Sequence, residues 1–77
     1  MESGEKMTVY EEKEAFVRES LSVVLAYICS SFVDVKYKAE SGREIVTVSF
    51  NNGYRRNINV TGDSLRSLAI DVLRYLE

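Results

Sequence analysis

The amino-acid sequence predicts a two-layer α+β fold in the order α-β-β-β-α: a three-stranded antiparallel meander with both helices on one face. Three observations lead there. Apolar and polar residues alternate from Val33 to Glu40, the signature of a strand with one buried and one wet face. The pairs Ser41-Gly42 and Asn52-Gly53 cut the stretch from Val33 to Val60 into three short runs, as hairpin turns do. On either side of that stretch, apolar residues recur at spacings of three and four, the helical period.

The register of the meander follows from keeping one face apolar. A two-residue loop at Ser41-Gly42 sets Tyr37 opposite Val46, Val35 opposite Val48 and Val33 opposite Phe50. At the second turn, a two-residue Asn52-Gly53 loop would oppose Val48 to Asn57 and Val46 to Asn59. A three-residue loop of Asn51, Asn52 and Gly53, with the glycine left-handed, instead pairs Phe50 with Tyr54 and Val46 with Ile58. The sequence therefore favours the longer loop. Tyr37, Phe50 and Tyr54 fall on the inner face, and Arg56 falls there too, beside Val48, so its stem is expected at the sheet edge with the guanidinium reaching out.

The first helix is expected from Val9 to about Ser31. Thr8 and Glu11 have capping-box spacing, and Glu11, Glu12 and Glu14 suit the positive end of the helix dipole. Val17, Leu21, Val24, Leu25, Ile28 and Phe32 line one side, while Phe16, Val23 and Tyr27 form a second stripe. One sheet cannot cover both stripes, which leaves the second to the other helix or to a second copy of the chain. After Thr61-Gly62, Asp63 is the expected N-cap of a helix from Ser64 to near the end, with Leu65, Leu68, Ala69, Val72 and Leu76 inward and Arg66, Asp71 and Arg74 outward. Residues 1–7 are expected to be a flexible N-terminus and residues 8–77 a single domain.

The 77-residue length suits one small domain, for which association with a partner adds useful stability. The formal net charge is -2, but it is uneven. Residues 33–60 hold five Lys/Arg against three Asp/Glu, and residues 1–32 hold three against six. Cys29 is the only cysteine, so no intrachain disulfide can form, and a reducing, cytoplasmic location is expected. The uncharged run from Ser20 to Val33 is shorter than the roughly 20 residues a membrane span needs.

No constellation for catalysis stands out. The chain has no histidine, the commonest general base and metal ligand near neutrality. Cys29 lies in an apolar segment, the helix-start glutamates match the dipole, and the glycines lack phosphate-loop spacing. Neither a catalytic centre, a metal site nor a cofactor is expected.

Two surfaces remain. The open sheet face carries Lys36, Lys38, Arg43, Arg55, Asn57 and Asn59, which suit phosphates and bases or else keep the sheet soluble. Phe16, Val23 and Tyr27 suit self-association. These features point to a non-catalytic protein-binding module that pairs with a protein partner or with itself, with nucleic-acid binding through the basic face as the alternative.

The order of elements over residues 8–77 resembles that of the double-stranded RNA-binding domain, which also packs two helices on one side of a three-stranded sheet. That family places a lysine cluster at the start of its second helix, where this chain reads Gly62-Asp63-Ser64-Leu65-Arg66-Ser67. The stretch VTVSFNNGYRRNINVTGDSLRSLAIDVLRYL also resembles short accessory proteins of Firmicute prophages and integrative elements. That likeness implies binding to a host or element-encoded macromolecule.

Overall fold

A computed structural model describes residues 8–76 of the chain; the expected flexible segment 1–7 lies outside the described residues. A first helical rod runs through α1 (Val9–Phe16), a π-helical turn (Val17–Leu21) and α2 (Ser22–Ile28). Strands β1 (Phe32–Glu40), β2 (Arg43–Phe50) and β3 (Arg55–Asn59) follow, and then helix α3 (Leu65–Tyr75). The sheet is antiparallel in the order β1-β2-β3. Val17, Leu21 and Leu25 from the rod and Leu68 and Val72 from α3 meet Val35, Val46, Val48, Ile58 and Val60 in one core. Both helices therefore cover the same face, the α-β-β-β-α arrangement expected from the sequence.

The rod begins as its capping box dictates. Thr8 Oγ1 accepts from the Glu11 amide at 3.1 Å, and Glu11 Oε1 accepts from the Thr8 amide at 2.9 Å, so two amides at the helix start are satisfied. The π-helical turn has a local signature in hydrogen bonding. The Ser22 amide donates to the Val17 carbonyl, five residues back, and the Ser22 hydroxyl takes up the bypassed Arg18 carbonyl at 2.5 Å. Val17, Leu21 and Leu25 sit four apart, whereas an α-helical turn holds about 3.6 residues. One wider turn keeps all three on the core side.

The rod ends at Ile28, three residues before the expected Ser31, with Cys29 already extended (φ −132°, ψ 108°). Ser30 and Ser31 favour turns over helix, and the Phe32 amide closes the turn on the Cys29 carbonyl at 3.2 Å. Phe32 thus belongs to the sheet, not to the helical stripe, and Val24 and Ile28 of that stripe are 42% and 58% exposed. Phe32 also takes the place opposite Phe50 that alternation assigned to Val33, through a bulge between Phe32 and Asp34. The bulge turns the larger ring onto the core and leaves Val33 exposed.

Elsewhere the register is as derived: Tyr37 opposite Val46, Val35 opposite Val48, Val46 opposite Ile58 and Val48 opposite Arg56. Ser41 and Gly42 have φ of 53° and 78°, the two left-handed positions of a type I′ hairpin. In the second turn Gly53 is left-handed at φ 88°, and the Phe50 amide donates to the Tyr54 carbonyl at 2.9 Å. The three-residue loop is therefore correct, but only the Tyr54 backbone joins the ladder. Tyr54 as a residue is 72% exposed rather than turned inward, because β3 is an edge strand that begins only at Arg55.

Helix α3 is capped by Ser64, whose Oγ accepts from the Ser67 amide at 3.2 Å. Asp63, the expected cap, instead turns its side chain toward the protein, and one carboxylate oxygen is fully buried. Leu68 and Val72 are buried as the stripe requires, while Asp71, expected outside, is half-buried.

Candidate functional site

The six residues predicted for the open sheet face, Lys36, Lys38, Arg43, Arg55, Asn57 and Asn59, are all exposed. Strand register sets Lys36, Thr47 and Asn57 in one row and Lys38, Ile45 and Asn59 in the next. Thr47 Oγ1 donates to Asn57 Oδ1 at 2.8 Å, and Asn59 Oδ1 accepts from the Thr61 amide at 2.9 Å. Lys38 Nζ lies 3.4 Å from Glu40. The cations are dispersed over the face: Lys36 and Arg55 stand on opposite edge strands, roughly 10 Å apart from strand spacing alone.

The second predicted set divides. Phe16 is half-buried and packs against the core, so it does not join an outer stripe. Val23 and Tyr27 are 64% and 92% exposed. Each has a neighbour that sequence reasoning had put inside: Val24 beside Val23, and Ile28 beside Tyr27. Helical spacing lays these four side chains in two adjacent i, i+4 rows on α2, an apolar surface without a charge.

A third place was not predicted as a unit. An open groove of about 700 Å³ lies where the end of α3, the β2–β3 turn and the start of β3 meet the turn after α2. Phe50, Leu76 and Cys29 contribute its apolar lining, and Tyr54, Arg55, Arg56 and Tyr75 its aromatic and basic one. Arg56 is exposed at the sheet edge and lines this groove. Tyr75 is 53% exposed. A signal existed in the run Tyr54-Arg55-Arg56, but the inward assignment of Tyr54 concealed it.

Sequence reasoning also missed a buried polar cluster centred on Glu44, whose side chain is 6% exposed. Lys13 Nζ donates to Glu44 Oε1 at 2.6 Å, the Tyr37 hydroxyl donates to the same oxygen at 2.7 Å, and the Gly62 amide donates to Oε2 at 2.9 Å. The Glu44 amide in turn donates to Thr61 Oγ1 at 2.9 Å. Burial pushes the Glu44 carboxyl up, but the Gly62 amide, Lys13 and Tyr37 outweigh it and hold the group below the usual carboxylate range. Burial, and then the Glu44 carboxylate, push the Tyr37 hydroxyl well up. The signals were positional: Glu44 shares the parity of Val46 and Val48, and Lys13 lies four residues before Val17.

Beside this cluster, Asp63 is raised to about 6, first by hydrogen bonding with Asp71, then by burial and by the Asp71 charge, against the opposing pull of Lys13. One Asp63 carboxyl oxygen is buried without a hydrogen-bond partner, an environment that favours its protonated form beside Asp71. The cluster ties α1, β1, β2 and the β3–α3 turn together.

Among the described residues, no group of three or more Cys, Asp or Glu side chains is placed to hold a metal ion, and no helix is long and apolar enough to cross a membrane. In comparisons with protein-family models, curated proteins and solved structures, nothing matches the chain.

Proposed function

We propose that the protein is a small non-catalytic binding module that pairs with a second copy of itself through the outer surface of α2. The single observation that carries this reading is the exposure of Tyr27, 92%, within an uncharged patch formed with Val23, Val24 and Ile28. Exposed apolar residues standing singly are ordinary, but four contiguous ones mark an interaction surface. A second copy is the occupant the chemistry favours. A two-fold interface sets each surface against itself, so any charge near the axis meets its own like charge, and this patch carries none. Two adjacent i, i+4 rows also supply the ridges and grooves by which helices interlock. The perturbed groups are engaged within the fold, Tyr37 with Glu44 and Asp63 beside Asp71, which supports a binding role over a catalytic one.

Sedimentation equilibrium from micromolar to millimolar concentration tests the reading. The expected result is a dimer that dissociates on dilution and is abolished by Val23→Lys/Tyr27→Lys, with the circular dichroism of the variant unchanged. A monomer throughout the range overturns it.

A second reading, weak nucleic-acid binding by the open sheet face, is supported by the exposure of Lys36, Lys38, Arg43 and Arg55 on that face. Binding to duplex or single strands at low salt should then fall when Lys36, Lys38 and Arg43 are neutralised. No binding, or binding indifferent to those changes, rejects it.

A further inference from the structure

We propose that the groove between the end of α3 and the start of β3 is a nucleotide site, with the phosphate on Arg56, next to Arg55 at the edge of the open face, and the base against Tyr54 or Tyr75. The site is separate from the α2 surface. It differs from the open-face reading in using Tyr54, Arg56 and Tyr75 in place of Lys36, Lys38 and Arg43.

Charge is the first argument. The chain as a whole carries -2, yet among the described residues the groove lining includes two arginines and no aspartate or glutamate. Guanidinium groups suit phosphate because their planar donors engage two oxygens at once. The second argument is the pair of tyrosines. Tyr54 serves the sheet through its backbone, by accepting the Phe50 amide, and the residue is 72% exposed. Tyr75, at the end of α3, is 53% exposed and lines the same groove. Neither ring belongs to the core, and exposed aromatic rings beside cations are the means by which proteins stack unpaired bases.

The third argument is polar complementarity. Asn52 also lines the groove, and side-chain amides carry the donor and acceptor atoms that match base edges. Asn52 Oδ1 is engaged by the Tyr54 amide at 3.0 Å, which leaves its NH₂ group to donate. The volume, about 700 Å³, falls within the range of roughly 300–1,000 Å³ typical of small-ligand sites. The same chemistry serves a free mononucleotide or one unit of a single strand.

The test is amide-resolved NMR titration of the full chain at low salt with UMP, a short oligouridine, inorganic phosphate and a phosphotyrosine peptide. Saturable shifts at Tyr54, Arg55, Arg56, Asn57 and Tyr75 are expected with UMP or the oligouridine. Tighter binding of the oligouridine identifies a strand as the source, and equal binding identifies a mononucleotide. Loss of one base stack, in Tyr54→Leu or Tyr75→Leu, should weaken binding roughly five- to hundredfold. Arg55→Gln/Arg56→Gln should flatten its salt dependence, while Lys36→Gln/Lys38→Gln should leave the shifts at Tyr54 and Tyr75 in place. All these side chains are exposed, and circular dichroism checks that each variant folds. The proposal is overturned if neither nucleotide saturates the groove resonances, if inorganic phosphate binds as well as UMP, if only the peptide binds, or if the groove variants bind as the parent does.

Discussion

Lys13 illustrates how one residue's position can outweigh its type. As a lysine in an acidic helix start it reads as solvent-facing, yet it is 5% exposed and sits on the buried side of the rod. A buried ion pair is weak support for net stability, because desolvation offsets most of the attraction, but removing one partner strands the other. Lys13→Ala leaves the Glu44 carboxylate with Tyr37 and Gly62 alone, so the expected loss in chemical denaturation is about 3–5 kcal/mol. Glu44→Gln in the same background should restore part of it. Asp63 gives the opposite lesson. Its folded-state pKa, about 6 against an ordinary 3.8, means that the native state holds a proton the unfolded chain has released between those values. Its contribution is therefore fully present below about pH 4 and is lost as pH rises through 6. Asp63→Asn supplies a permanent donor to Asp71, so it should raise the melting temperature at pH 7–8 and change it little near pH 4. A variant less stable than the parent at pH 8 would show that the carboxyl pair is not strained at neutrality.

At the scale of the element, the hairpins were legible because turn chemistry and face parity agree. Val35, Tyr37, Val46, Val48 and Ile58 admit one register that keeps them together, and a slip of one residue would turn every one of them over. What parity could not show was the bulge at Val33, which takes the burial of Phe32 into account only once the helix is known to stop at Ile28. Nor could periodicity reveal the π-helical turn, since the i, i+4 spacing of Val17, Leu21 and Leu25 fits an α-helix nearly as well. The β1–β2 turn offers a test of the same logic. A Cβ on Gly42 would meet open space, yet φ is 78°, so Gly42→Ala should cost about 1–2 kcal/mol from backbone strain alone. Ser41, at φ 53°, bears a smaller form of that strain, and Ser41→Asn should stabilise the protein because Asn-Gly is the preferred type I′ pair. Thermal unfolding of the two variants should move in opposite directions. Equal shifts would mean that the turn relaxes to another type.

On the scale of the whole molecule, the candidate sites divide according to what could be read from pattern. The open face was legible because alternation in β1 and β2 defines it. The groove was not, because it is assembled from Tyr54, Arg56 and Tyr75, residues that meet only when α3 ends above the β2–β3 turn. The core that permits this is small. Among the described residues, ten buried apolar side chains form it, and Leu25, one of the three that the rod contributes, has no exposure at all. Native domains hold about 0.05–0.15 kcal/mol per residue, or roughly 4–12 kcal/mol for a chain of this length. Leu25→Ala removes about 2–5 kcal/mol in a site that cannot readily collapse, because the sheet beneath it is fixed by its own ladder. The substitution should therefore leave a substantial unfolded fraction at moderate urea and lower the melting temperature by many degrees. Val24→Ala, one residue earlier but 42% exposed, should cost the monomer far less and act instead on self-association. Equal losses from the two substitutions in a dilute monomer would mean that the rod does not enter the core through Leu25 but buries the Val24 side, and with it the surface assigned to a second copy.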